Sequence, residues 1–209
     1  MSLQNVNDLV INGKSRLVPG AVQEALDEGI AAPEILNTMI NAMSVVGERF
    51  SRNEIFVPEM LVAAKAMKKG VDVLKPHLSD GSVGSMGKVI MGTVAGDLHD
   101  IGKNLVIMMI ESSGFEVIDL GVDVPKEKFV EALEAAPDTK IVCCSALLTT
   151  TMPAMRETVE TLNAHPLRSK IKVMVGGAPI TQEFANEIGA DAYTEDAASC
   201  AQKAKALVG

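Results

Sequence analysis

The chain has 209 residues, of which 27 are acidic and 19 basic, for a formal net charge of −8. Hydrophobic residues make up 47% and charged residues 22%, which supplies a real core and excludes a disordered acidic chain. An acidic balance with 3% aromatics offers neither counterion release nor stacking surfaces, so nucleic acid is not an expected partner.

The longest charge-free run, Ile141 to Met155, is broken by Ser, Thr and Pro and is too short and polar to cross ~30 Å of hydrocarbon. The opening MSLQNVNDLVING lacks a basic segment followed by an apolar one, so a cytoplasmic protein with no membrane partner is expected. The three cysteines include the adjacent pair Cys143 and Cys144 and form no CxxC; they read as packing residues of a reducing compartment.

In chain order, two short helical segments are expected around Val6 to Ile11 and Leu17 to Leu26. A longer helix opened by Pro33 carries Ile35, Met39, Ala42, Met43 and Val46 on one stripe. A fourth, with Pro58 in its first turn, carries Met60, Ala64, Met67, Val71, Leu74 and Leu78, at the spacings of three and four that mark one helix face. This predicts a four-helix bundle over residues 1–83. The Gly- and Ser-rich SDGSVGSMG, residues 79–87, reads as a linker. From 88 to 209, five β-rich runs alternate with helical ones, beginning with KVIMGTVAG and IGKNLVIMMIESSG. Such alternation predicts an α/β domain, a five-stranded parallel sheet of Rossmann-like, doubly wound type, which binds ligands outside the carboxyl ends of its strands. PKEKFVEALEAA (125–136) reads as a solvated helix with one buried stripe, and His77 and His165 as surface residues.

The first strand runs into GDLHDIGKN, residues 96–104. Five residues separate Gly96 from Gly102, and Asn104 follows Lys103, so the phosphate-binding P-loop pattern is not met. The loop does place the His99 imidazole two residues from the Asp97 carboxylate. A carboxylate that accepts one ring N–H of histidine fixes its tautomer and makes the other nitrogen a better metal ligand. One histidine cannot hold a bare ion, which wants three or four protein donors, so any metal here must bring its other ligands.

Asp97-x-His99-x-x-Gly102, Ser145-x-Leu147 at the end of the third strand and Gly176-Gly177 at the end of the fourth together resemble the cobalamin-binding domains of the methionine synthase type, which are flavodoxin-like. The segment Phe50 to Gly70 is similar to the helical cap that precedes those domains. The resemblance spans nearly the whole chain and is closest to the stand-alone corrinoid proteins of methyltransferase systems. It implies that His99 is the lower axial ligand of cobalt in place of the cofactor's own base, that Asp97 holds the far ring nitrogen, and that Thr151, where methionine synthase has Ser, extends the relay. It further implies that Ser145, Leu147, Gly176 and Gly177 line a slot for the nucleotide tail, which Tyr193 helps close. Asp100, Ile101, Gly102 and Thr149 are further cofactor-binding positions. Phe56, Val57, Met60 and Leu61 are the cap residues implied nearest the upper face of the ring.

The function implied is that of a methyl carrier without turnover of its own, working with a substrate-specific methyltransferase, a second methyltransferase acting on coenzyme M or a tetrahydrofolate, and a reductive activase. Two other classes share parts of the pattern. Cobalamin subunits of adenosylcobalamin mutases carry a similar DxHxxG but need no helical cap. Cobalamin-dependent sensors join cap and corrin domain to a basic DNA-binding segment, for which this chain shows no recognition helix.

Overall fold

The computed structural model describes residues 2–78 and 86–208. The linker expected at 79–87 therefore lies, apart from Met86 and Gly87, outside the described residues. The chain forms a helical unit and an α/β unit.

The helical unit consists of α1 (Ser2–Ile11), α2 (Val18–Asp27), α3 (Ala32–Ser51) and α4 (Val57–Leu74). Prolines occupy the first turns of α2, α3 and α4, where no N–H is needed for the helix ladder. The Glu59 carboxylate accepts the Phe56 N–H at 3.1 Å at the start of α4. α1 packs against α2 and α3, and α4 against the same two helices. The α3 stripe is buried as expected. On α4, Met60, Ala64, Met67 and Leu74 are buried, but Gly70 takes the place expected for Val71, which is half-buried. A Cβ at Gly70 would lie 2.5 Å from Met39 Cε and 2.9 Å from Val18 Cγ1, so a missing side chain lets α4 close on α2 and α3. Leu78 falls beyond the helix, which passes into a 3₁₀ turn over Lys75–His77 because Pro76 has no N–H to return to Asp72.

The α/β unit runs β1 (Lys88–Thr93), α5 (Ile101–Glu111), β2 (Glu116–Asp119), α6 (Lys126–Ala135), β3 (Thr139–Ser145), α7 (Met152–Asn163), β4 (Lys172–Gly176), α8 (Gln182–Glu187), β5 (Ala192–Tyr193) and α9 (Ala197–Val208). All strand pairs are parallel and the order is β2-β1-β3-β4-β5. β1 and β3 are buried nearly throughout, as strands covered on both faces must be. On one face Ile90, Val142 and Val173 pack with Phe129 and Leu133 of α6 and Met155, Val159 and Leu162 of α7. Cys143, Cys144 and Cys200 are all buried free thiols. His77 is exposed, whereas His165 is largely covered, its Nδ1 accepting the Leu167 N–H at 3.2 Å; a turn that needed an acceptor has drawn the ring inward.

The chain leaves β1 with β2 on one side and β3 on the other. The turns after β1 and β3 therefore diverge and leave a crevice at the carboxyl edge of the sheet.

Phe129 is fully buried and its ring would lie 2.8 Å from a Cβ on Gly92, so α6 meets β1 through an aromatic ring on bare backbone. Phe129→Ala is expected to destabilise the α/β unit by about 3–5 kcal/mol, measured as a lower midpoint in urea denaturation.

Candidate functional site

The turn after β1 centres on a carboxylate with no solvent exposure. Asp97 is 0% exposed, and both of its oxygens are occupied. Oδ1 accepts the His99 backbone N–H at 3.0 Å and lies 2.7 Å from His99 Nδ1. Oδ2 accepts the Leu147 N–H at 2.7 Å, the Thr151 hydroxyl at 2.9 Å and, more weakly, the Leu148 N–H at 3.4 Å. Burial alone would push the Asp97 carboxyl up. The bonds from Leu147, His99 and Thr151 outweigh burial and hold it well below the usual carboxylate range.

That anion sets the state of the imidazole. A carboxylate can only accept, so Nδ1 carries the proton and the neutral ring keeps its lone pair on Nε2. Among the described residues Nε2 has no hydrogen-bond partner, and the His99 side chain is 49% exposed. The Thr151 hydroxyl also lies 2.9 Å from the Leu148 carbonyl oxygen; it has one proton, which these two acceptors share.

Sheet register gathers the other expected residues. Ser145 pairs with Thr93 on one side and Gly176 on the other, and Val175 pairs with Tyr193. Gly177 has φ +125°, and a Cβ there would fall onto the carbonyl of Ala146; the Ala146 N–H donates to the Gly176 carbonyl at 3.2 Å. Only glycine permits this approach of two backbones. Asp100, Ile101 and Thr149 are exposed, and nothing lies within 4 Å of a Cβ on Gly102. Leu147 contributes its backbone N–H to Asp97 while its side chain stays exposed. In the helical unit Phe56 is 65% exposed, whereas Met60 is buried.

Several residues at this edge carry no motif. Lys103, only 2% exposed, donates to both Asp119 oxygens at 2.7 and 2.8 Å and to Asn104 Oδ1 at 2.8 Å. Its ammonium is thus fully occupied, which explains why a lysine in this loop does not make a phosphate site. The Thr93 hydroxyl donates to the His99 carbonyl, and Asp123 accepts the Gly96 N–H. The Leu148 N–H has no residue-type signal at all, since every residue but proline offers one.

Among the described residues no group of three or more His, Cys, Asp or Glu could hold a metal ion. Four large hydrophobic side chains of these turns, Leu98, Ile101, Leu147 and Leu148, are left exposed. One oriented imidazole nitrogen, with exposed apolar groups on these turns and backbone-lined turns at Gly176–Gly177, fits a metal already held in the plane of a broad macrocycle. The fold and site define a protein with one oriented imidazole nitrogen open to a metal that brings its other ligands with it.

Comparison with known proteins identifies the family and the cofactor. Residues 87–201 match the B12 binding domain family, and residues 3–75 match a second B12 binding domain model. The chain is 44% identical over 207 residues to dimethylamine corrinoid protein 3 of Methanosarcina acetivorans, covering 99% of this chain and 96% of that one. A cobalamin-binding protein from Desulfitobacterium hafniense superposes with a TM-score of 0.84 at 34% identity, covering 99% and 98% of the two chains. A chain of the methanol:cobalamin methyltransferase complex from Methanosarcina barkeri superposes with a TM-score of 0.85 at 28% identity, covering 99% of this chain and 79% of that one. The chain belongs to the B12-binding corrinoid protein family, and its cofactor is cobalamin. No helix among the described residues is long and apolar enough to cross a membrane.

Two outcomes follow from this geometry. Gly177→Ala should lower the melting temperature far more than Gly176→Ala, whose Cβ would meet only the Thr194 carbonyl oxygen at 3.2 Å. Because the folded-state pKa of Asp97 is lowered, its stabilising effect is fully present above the unfolded value of about 3.9 and disappears as pH falls toward the folded value. In chemical denaturation of the cofactor-free protein, the stability gap between wild type and Asp97→Asn should therefore narrow from about pH 5 down to pH 2.

Proposed function

We propose that this protein is the methyl carrier of a methylamine methyltransferase system and that it binds its corrinoid with His99 as the lower axial ligand of cobalt. The observation that carries the reading is the buried Asp97 anion, which accepts the bond from His99 Nδ1–H and leaves the lone pair of Nε2 free. When bound, the corrinoid supplies the cobalt on which a methyl group is taken up and given away.

The chain's own residues orient and hold. Asp97 fixes the tautomer and rotation of His99, and Thr151 with the Leu147 N–H keeps Asp97 charged. A carboxylate behind a ligating imidazole raises its basicity, and removing such a partner typically costs 10- to 100-fold in metal affinity or activity. Ser145, Gly176 and Gly177, with Tyr193 beside them in the sheet, are the residues assigned to the displaced nucleotide tail. Of the four cap residues, Phe56 has an exposed side chain free to meet a ligand, Val57 and Leu61 are half-buried, and Met60 is buried.

The partner assigned is a substrate-specific methyltransferase, by analogy with the methanol:cobalamin complex. A methylamine as donor is favoured by the 44% identity to a dimethylamine corrinoid protein. A second methyltransferase and a reductive activase complete the expected set.

The test is reconstitution with hydroxocobalamin, wild type beside His99→Ala. The wild-type visible spectrum should show the bands of an axial imidazole; His99→Ala should still take up the cofactor but lose those bands. Identical axial-ligand bands in both proteins would remove His99 from the cobalt.

A further inference from the structure

The Asp97–His99 pair is fixed on its ring side by the carboxylate, but an axial ligand also needs its backbone held, because a shift of the peptide moves the ring with it. Two side chains outside the Asp-His-Thr relay grip that backbone. Asp123, in the turn between β2 and α6, accepts the Gly96 N–H on Oδ1 at 2.7 Å, and its own N–H donates to the Asp97 carbonyl at 2.9 Å. It thus brackets Asp97 from both sides. Thr93, the last residue of β1 and fully buried, donates its hydroxyl to the His99 carbonyl at 2.9 Å. The main chain of Thr93 is held to the same β2–α6 turn, its N–H donating to the Gly121 carbonyl at 3.0 Å and its carbonyl accepting the Val124 N–H at 2.9 Å.

The backbone of Asp123 makes this assignment more specific. Its φ is +52°, a left-handed conformation that costs every residue but glycine, with Asn and Asp penalised least. Gly121, two residues earlier, has φ +85° and shows the residue a turn of this kind ordinarily takes. A carboxylate retained at Asp123 despite that cost, and exposed to solvent, has a use in its bond to Gly96, itself at φ +81°.

We infer that Asp123 and Thr93 are positioning residues for the axial imidazole, setting its height above the sheet edge by clamping the peptides of Gly96, Asp97 and His99. The inference rests on the assignment of His99 to cobalt. It separates the work at the site in two: Asp97 and Thr151 set the electronic state of the ring, and Asp123 and Thr93 set where the ring is.

Glycine at 123 relieves the backbone cost while deleting the acceptor, so Asp123→Gly isolates the hydrogen bond from strain. Asp123→Asn keeps both an acceptor oxygen and a tolerance for positive φ. Thr93→Val preserves shape and loses the donor, and Thr93→Ser keeps it. Each variant is loaded with hydroxocobalamin, reduced to the Co(II) form and read by electron paramagnetic resonance, in which one axial nitrogen splits the cobalt lines into triplets. Cofactor uptake and melting temperature are measured in parallel.

Asp123→Gly and Thr93→Val should take up cobalamin yet lose the triplet from most molecules, an axial ligation weakened by about 10-fold, the lower end for lost support of a metal-bound histidine. Asp123→Asn and Thr93→Ser should keep the wild-type pattern. In the cofactor-free Asp123→Gly protein, the Gly96 amide should exchange faster with solvent. A variant that lowers the melting temperature but retains the triplet overturns the role of that residue, as does an Asn or Ser variant as defective as its Gly or Val counterpart. Should Asp123→Gly fail to fold, Thr93→Val decides the matter. Wild-type protein without a nitrogen triplet overturns the assignment of His99 itself, which is a different result.

Discussion

A single ionised carboxylate in a place without water is the constraint around which this sheet edge is built. An unpaired anion at Asp97 would cost several kcal/mol, so donors must be brought to it from wherever the chain can provide them. They come from Leu147, Leu148 and Thr151, 50 or more residues downstream. β3 must therefore lie directly beside β1, with Ser145 level with Thr93. A slip of the register would take the Leu147 N–H out of reach and strand the charge. Fold and site are in this sense one arrangement: the sheet order that opens a crevice also delivers the donors that keep Asp97 ionised and His99 in its Nδ1–H tautomer.

The elements were largely legible in the amino-acid pattern because two distinct periods divide it. Spacings of three and four place the α3 stripe correctly, and the alternation of β-rich and helical runs gives each strand-helix unit in order. The departures share one cause. Gly70 has no hydrophobic side chain to enter into a stripe, yet the close approach of Met39 and Val18 requires it to be bare. Pro76 ends α4 before Leu78, although the apolar spacing continues. His165 is drawn into a turn by the Leu167 N–H. In each case a local contact decides what periodicity cannot express.

The candidate site was legible where it rests on side-chain identity at fixed spacing, as in the Asp97–His99 bond, and where glycine is compelled, as at Gly177, whereas nothing in the structure packs against Gly102. It was not legible where the working group is a peptide. The N–H groups of Leu147 and Leu148 and the carbonyls of Asp97 and His99 exist at almost any residue, and only the fold shows that they are used. Asp123 and Thr93 were hidden for the same reason, since what each grips is main chain. Lys103 is consistent with the unmet phosphate-binding pattern: its pairing with Asp119 and Asn104 leaves no donor for an anion.

The three thiols complete the account in an unexpected way. A protein that carries an electrophilic methyl group must not be its own acceptor, and thiolates are among the strongest nucleophiles a chain possesses. Here every cysteine is enclosed. Burial pushes the Cys144 thiol up to about 12, and Cys143, hydrogen-bonded to Cys200 in the same dry surroundings, is also raised well above its ordinary value. The Cys200 thiol, bonded to Cys143 and Thr194, is instead lowered from its ordinary value, so enclosure rather than protonation is what puts all three thiols out of reach of a methyl group.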